Sequence, residues 1–237
     1  MTLSEREGLP LTPEAKAAVL SEALPYIRRF RGKVVVIKHG GSAMGESSRA
    51  SLAGFAEDVV LMHAVGMRPV VVHGGGPQIG DLMARLGKQA EFREGLRVTD
   101  ADTLDIARMV LVGKVNKDIV SAINVHGPLA VGLSGEDGRL ITASARSADL
   151  GFVGDVDGVD SGIVDRLLAQ ELIPVVATIG SDRSGQAYNI NADTVAGVIA
   201  EAVGAEKLVY LTDVEGLRRN VDDPDSLVRT LSGQELE

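Results

Sequence analysis

The chain has 237 residues, 45% of them hydrophobic, and a formal charge of −9 at pH 7. That length buries a substantial core, as one large α/β domain or two small ones. The charge repels nucleic acid and anionic lipid over most of the surface, so neither is expected as a partner and an anionic substrate needs a local positive site.

The absence of cysteine excludes disulfides and thiolate metal sites, and four scattered histidines give no zinc-type spacing, so no protein-bound metal is expected. The longest apolar runs, such as Val70 to Val72 or Leu172 to Ala177, fall far short of the roughly 20 residues that a membrane span needs. Glu5, Glu7 and Glu14 interrupt any signal-peptide pattern, and a cytosolic protein is expected.

Val19, Leu20, Leu24, Ile27 and Phe30 recur near the helical period, which predicts an amphipathic helix over 13–30 with a bend near Pro25. Its apolar side either lies on the core of its own chain or serves a partner. Short β-branched runs at Val34 to Ile37, Val70 to Val72, Leu129 to Leu133, Ile173 to Ala177 and Leu208 to Leu211 read as buried strands. Helical stretches near 50–65, 77–87, 102–124, 161–170 and 192–203 alternate with them, which predicts a mainly parallel sheet between helices. The glycines at 138, 151, 154 and 158 break this rhythm and predict antiparallel hairpins between Glu136 and Asp160.

The first strand runs from Lys38 into Gly40 and Gly41 at the edge where open α/β sheets bind ligands. Glycines let backbone amides approach a phosphate and Lys38 adds a point charge; an ordinary turn with an exposed lysine is the alternative. The second strand ends in His73-Gly74-Gly75-Gly76-Pro77, and a helix starting at Pro77 would place free amides and a helix dipole at an anion cradle. Neither loop matches G-x-x-x-x-G-K-[ST] or G-x-G-x-x-G, which argues against a P-loop ATPase and a Rossmann dehydrogenase.

Arg97 precedes a helix capped by Thr99 or Asp100. It either forks onto a ligand carboxylate or pairs with Glu94 or Asp100. Further on, Asn191 is placed to cap the helix that follows Tyr188-Asn189-Ile190-Asn191-Ala192-Asp193, Asp193 lies in its first turn, and Asn189 faces outward. Thr212 and Asp213 follow the last strand, in a loop that could contact a nucleotide.

Five segments, KHGGSAM (38–44), VVHGGGPQI (71–79), GLRVTD (95–100), YNINAD (188–193) and EKLVYLTDVEG (206–216), resemble acetylglutamate kinases of the amino acid kinase family in order and spacing. The resemblance implies a three-layer αβα sandwich with a mainly parallel central sheet and antiparallel hairpin insertions. It also implies an N-terminal oligomerisation helix over 1–30 and a kinase domain over 31–237, in which the part to about 180 binds the acyl amino acid and 181–237 begins the nucleotide-binding part. The implied reaction is transfer of phosphate from ATP, with Mg²⁺, to the γ-carboxylate of N-acetyl-L-glutamate in arginine biosynthesis. A kinase for an acylated aminoadipate and a non-catalytic binding module are the alternatives.

By the same resemblance, Lys38 would stabilise the transferring phosphoryl group, Gly40 and Gly41 would line the phosphates, and Asp193 would organise the catalytic lysines. Gly75 and Gly76 would touch the acyl amino acid, Arg97 and Asn189 would hold it from two sides, and Thr212 and Asp213 would lie near the nucleotide. Family members carry an aromatic residue and an asparagine where His39 and Ser42 stand. The family pattern also continues past Glu237 with a G-M-x-x-K segment that supplies a second lysine, so a C-terminally truncated chain is expected. The segment SEALPYIRRFRGK resembles the extra helix of arginine-inhibited hexameric members, implying a homo-oligomer (a dimer or trimer of dimers) and an L-arginine effector near Tyr26.

Overall fold

The computed structural model describes residues 12–40, 48–212, 214, 216–220 and 222–235. A first helix, α1 (Pro13–Phe30), leads into β1 (Val34–His39), α2 (Ser48–Ala64), β2 (Arg68–His73) and α3 (Gly76–Arg85). Two short strands, β3 (Phe92–Arg93) and β4 (Leu96–Arg97), precede a long helical stretch in which a π-helical segment, Met109–Val115, joins α4 (Ala101–Arg108) to α5 (Asn116–Asn124). Then come β5 (Ala130–Ser134), β6 (Ile141–Ala145), β7 (Val153–Val159), α6 (Gly162–Ala169), β8 (Ile173–Ala177), β9 (Ile179–Ser181), β10 (Ala187–Ile190), α7 (Ala192–Ala202) and β11 (Lys207–Leu211).

The five β-branched runs form one parallel sheet in the order β11-β1-β2-β8-β5. Strands buried on both faces read as continuous apolar runs, and here alternate residues serve opposite layers. Val35, Ile37, Val71 and Val175 pack with residues of α2, α3, α4 and α5, while Val36, Val70, Val72 and Val176 pack with α6 and α7. The expected three-layer αβα sandwich is therefore present.

The hairpin expected in 136–160 is β6 with β7, antiparallel and shifted in register at Thr142/Ala143. It is only half of a closed four-stranded unit, β10-β7-β6-β9, whose other hairpin follows β8 directly. Gly154 is required where these hairpins meet, since a Cβ there would lie 2.6 Å from Tyr188 Cβ. Rather than projecting freely, Leu140, Ile141, Ala143, Tyr188 and Ile190 pack into the α6/α7 side of the core.

The N-terminal helix is one element through Pro25, capped by Thr12, whose hydroxyl accepts from Ala15 N at 3.2 Å. None of its residues is buried. Phe30 alone packs on the core, with the Arg29 and Lys207 cations 5.2 and 5.8 Å from its ring. Val19, Leu20 and Leu24 are exposed, so most of the apolar side does not lie on the described residues of its own chain. Among the described residues, no helix is long and apolar enough to cross a membrane.

The helical layer on the other side is pinned to the sheet by Asn116, fully buried at the start of α5, whose Nδ2 donates to Val175 O at 2.9 Å and Leu133 O at 3.3 Å. Space for it exists only because residue 132 is glycine: a Cβ there would overlap Asn116 Oδ1 and lie 2.8 Å from Lys117 Nζ. Gly132→Ala is expected to destabilise the fold by about 3 kcal/mol, from overpacking and a broken buried hydrogen bond. The midpoint of urea unfolding measures it.

Candidate active site

Because β1 and β2 pair in register, Lys38 with Val72 and His39 with His73, both chains leave the sheet at one edge and enter glycines side by side. Lys38 points toward α7, and its Nζ lies 2.9 Å from Asp193 Oδ1. Asn191 caps that helix by accepting from Asp193 N at 2.8 Å and Thr194 N at 3.1 Å, so Asp193 sits in the first turn, where the helix dipole favours a negative charge. The lysine side chain is only 12% exposed, so the alternative of a turn with a solvated lysine does not hold. Gly40 is needed for packing, since a Cβ there would lie 2.9 Å from Leu211 O and 3.0 Å from Lys38 Nζ.

The second loop is held close by the π-helical segment. A Cβ on Gly75 would lie 2.8 Å from Leu111 Cδ2 and 3.1 Å from Val115 Cγ2. The helix behind it begins at Gly76, one residue before the predicted Pro77, and Gly75 offers no side-chain cap. The first amides of α3 are thus left for another acceptor.

Arg97 reaches the same place by a route that sequence reading missed. Glu94 and Gly95 have φ of 49° and 77° and form a two-residue turn between β3 and β4. Two positive φ values match the twist of paired strands. The hairpin sets Phe92 under Arg97, 4.7 Å from guanidinium carbon to ring centre. Arg97 Nη2 donates to Gly76 O at 2.8 Å, and Nη1 lies 3.4 Å from Met83 Sδ.

The proposed pairing of Arg97 with Glu94 or Asp100 is absent. Asp100 instead accepts from Lys88 Nζ at 2.7 Å and caps α4 through Thr103 N at 2.9 Å. Those bonds, the lysine first, hold its carboxyl at about 2. No carboxylate of the described residues pairs with Arg97, whose half-burial lowers its pKa. Behind it, Thr99 donates to Arg97 O at 2.8 Å and accepts from Asn189 Nδ2 at 3.4 Å. Asn189 is thereby tied to the Arg97 backbone across the site.

Lys38, Gly75, Gly76, Arg97, Asn189 and Asp193 line one cavity of about 360 Å³, with Ile79, Leu111 and Val153 among its apolar walls. That volume falls in the range of small-molecule sites. Two cations against one carboxylate make the cavity locally positive in an acidic protein. Thr212 lies outside this lining: it is exposed after β11, and its hydroxyl donates to Val214 O at 3.0 Å. Gly41, Ser42 and Asp213 lie outside the described residues. Among the described residues, no group of three or more His, Asp or Glu stands together to hold a metal ion.

Two buried histidines support the loops. His39 stacks on Phe55 at 4.3 Å between ring centres, and neither ring nitrogen has a hydrogen-bond partner among the described residues. It fills the place of an aromatic ring. Burial, then the charge of Lys38, lowers its pKa to about 4. His73 is fully buried and its pKa is also lowered to about 4, by burial, against the opposing effect of its bond to Gly74 O.

A parallel αβα sandwich that gathers the second glycine loop, a paired lysine and an arginine with no carboxylate partner among the described residues around one small cavity, with Gly40 next to that lysine but outside the lining, belongs to the class of small-molecule kinase domains. The model of the Amino acid kinase family matches residues 33–237, and the chain belongs to that family. It is 54% identical to the chloroplastic acetylglutamate kinase of Arabidopsis thaliana, over 93% of this chain and 63% of that protein. It is 52% identical to the acetylglutamate kinase of Moorella thermoacetica, over 94% of this chain and 78% of that protein. Among solved structures, the N-acetylglutamate synthase of Neisseria gonorrhoeae, complexed with coenzyme A and L-arginine, matches with a TM-score of 0.76 and 29% identity, over 92% of this chain and 52% of that one.

Replacing His39 tests its role. Below pH 6.5 an unfolded histidine binds a proton, whereas His39 stays neutral until about pH 4, so stability is lost as pH falls through that window. His39→Phe keeps the stack and removes two orphaned polar atoms. It is expected to stabilise the protein by about 1 kcal/mol at pH 7.5 and by about 1 kcal/mol more at pH 5.5, as measured by urea unfolding at the two pH values.

Proposed function

We propose that this chain transfers the terminal phosphoryl group of ATP to the γ-carboxylate of N-acetyl-L-glutamate, giving the acyl phosphate used in arginine biosynthesis. The observation that carries this reading is Arg97, a half-buried guanidinium without a carboxylate partner among the described residues, facing the cavity that also holds the Lys38–Asp193 pair. The names of the relatives support the same substrate.

Arg97 holds the α-carboxylate, which does not react, and Asn189 fixes the substrate from the opposite side. The amides of Gly75 and Gly76 receive the reacting end. A γ-carboxylate ionises near pH 4.3, so at neutral pH it is already a nucleophile and needs no general base. The obstacle is repulsion between two anions. Lys38, oriented by Asp193, neutralises charge on the transferring group, and we assign Gly40 and Gly41 to its phosphate oxygens, as the resemblance implies. We assign Thr212 and Asp213 to contact with the nucleotide, as the resemblance implies. Mg²⁺ supplied with ATP adds charge neutralisation at the phosphates. We place the enzyme in the cytosol, as expected from its sequence.

Acyl phosphate trapped with hydroxylamine tests the reaction directly. Lys38→Ala is expected to lower kcat by about 10²- to 10³-fold with little change in KM for N-acetyl-L-glutamate. Arg97→Ala is expected to raise that KM by about 10- to 100-fold, because a charged hydrogen bond to a bystander carboxylate is lost. A Lys38 variant that loses only affinity, or an Arg97 variant with unchanged KM, overturns these roles.

We also propose that α1 mediates self-association and that L-arginine acts as an effector near Tyr26. Val19, Leu20, Leu24 and Tyr26 are exposed along this helix, and the gonococcal synthase structure contains L-arginine. Deleting residues 1–28 is expected to lower the mass measured by light scattering. An unchanged mass rules out assembly through this helix.

A further inference from the structure

His73, the last residue of β2, stands immediately before the second glycine loop. Its Nδ1 lies 3.0 Å from the carbonyl oxygen of Gly74. A carbonyl only accepts, so Nδ1 carries the proton. Its Nε2 lies 3.1 Å from Asn116 Nδ2, which also lies 2.9 Å from Val175 O and 3.3 Å from Leu133 O. Carbonyl acceptors around that atom identify it as the amide nitrogen, with Oδ1 facing Lys117 Nζ at 3.4 Å. Nε2 is then a bare acceptor, and Asn116 selects the Nδ1–H tautomer.

This bond fixes more than the ring. A trans peptide is planar, with its carbonyl and the following N–H pointing in opposite directions. With the Gly74 carbonyl held on the imidazole, the Gly75 N–H faces away from His73. It has no acceptor among the described residues, and Gly74 and Gly75 both line the cavity. Glycine leaves this peptide free to turn over, and the imidazole removes that freedom.

We propose that His73, backed by Asn116, is a positioning residue of the acyl-amino-acid site: it locks the Gly74–Gly75 peptide so that the Gly75 N–H donates into the cavity, to an oxygen of the substrate. The identity of that substrate rests on the function proposed above; the locked peptide does not. His73 touches no reacting atom in this role and acts through the loop.

Two variants separate positioning from mere packing. His73→Asn returns an amide nitrogen near the Nδ1 position and can still hold Gly74, whereas His73→Gln carries its amide one bond further, toward Asn116. Both bury one neutral amide in the same place. Calorimetric titration with N-acetyl-L-glutamate is expected to show affinity within about threefold of the unaltered chain for Asn, and at least about tenfold weaker for Gln. Equal affinities in the two variants overturn the proposal. In the unliganded chain at pH 7, a long-range proton–nitrogen NMR spectrum is expected to show His73 protonated at Nδ1 and bare at Nε2. The opposite tautomer overturns the proposal whatever the ligand does. Should the unaltered chain fail to bind N-acetyl-L-glutamate, the substrate reading falls, and the tautomer still decides the role of His73.

Discussion

Parallel pairing of β1 with β2, in register from Val34 and Arg68 to His39 and His73, is the constraint on which the site depends. Neighbouring parallel strands that end level release their chains at one edge, and here both chains continue into glycines. Side chains that alternate along β1 then divide the work: Lys38 faces α7 and Asp193, while His39 faces α2 and stacks on Phe55. A shift of one residue in either strand would exchange these faces and separate the two loops.

The electrostatic character of the site follows from how its cations are partnered. Lys38 is oriented by a carboxylate at 2.9 Å, whereas Arg97 is oriented by a backbone carbonyl, an aromatic ring and a thioether, none of which neutralises it. A partly desolvated guanidinium in low-dielectric surroundings attracts an anion more strongly than one in water. The acidic surface makes this contrast sharper, since the cavity is a positive spot on a chain of net charge −9. Membership of the amino acid kinase family gives that spot a chemical context, since a kinase's phosphoryl donor is anionic.

Neither buried histidine is suited to proton transfer at neutral pH, because burial keeps both rings neutral to about pH 4. They act as shaped neutral groups. His39 supplies a flat face against α2, and His73 supplies a donor and an acceptor at the root of a glycine loop. A carboxylate nucleophile has no proton to remove, so the chemistry does not require more of them. Both place an acid-sensitive group beneath the site.

The sequence by itself determined the elements whose cause is local. Five β-branched runs became the five strands of the central sheet, periodic stretches became the helices, and Asn191 caps α7 as its position predicted. The triple glycine marked the second loop because so many glycines are costly unless backbone must come close to something. Tertiary structure alone decided the rest. The β9–β10 hairpin was hidden because its short runs carry no clear alternation and β8 leads straight into it. The β3–β4 turn was hidden because Glu94 is not a residue expected at positive φ. Whether Arg97 is paired depended on Lys88 taking Asp100, and the roles of His73 and Thr99 depended on Asn116 and Asn189, partners 43 and 90 residues away. Such contacts leave no periodic trace in the sequence: they are set by which side chains the folded sheet and helices bring together, and only the packed core fixes that.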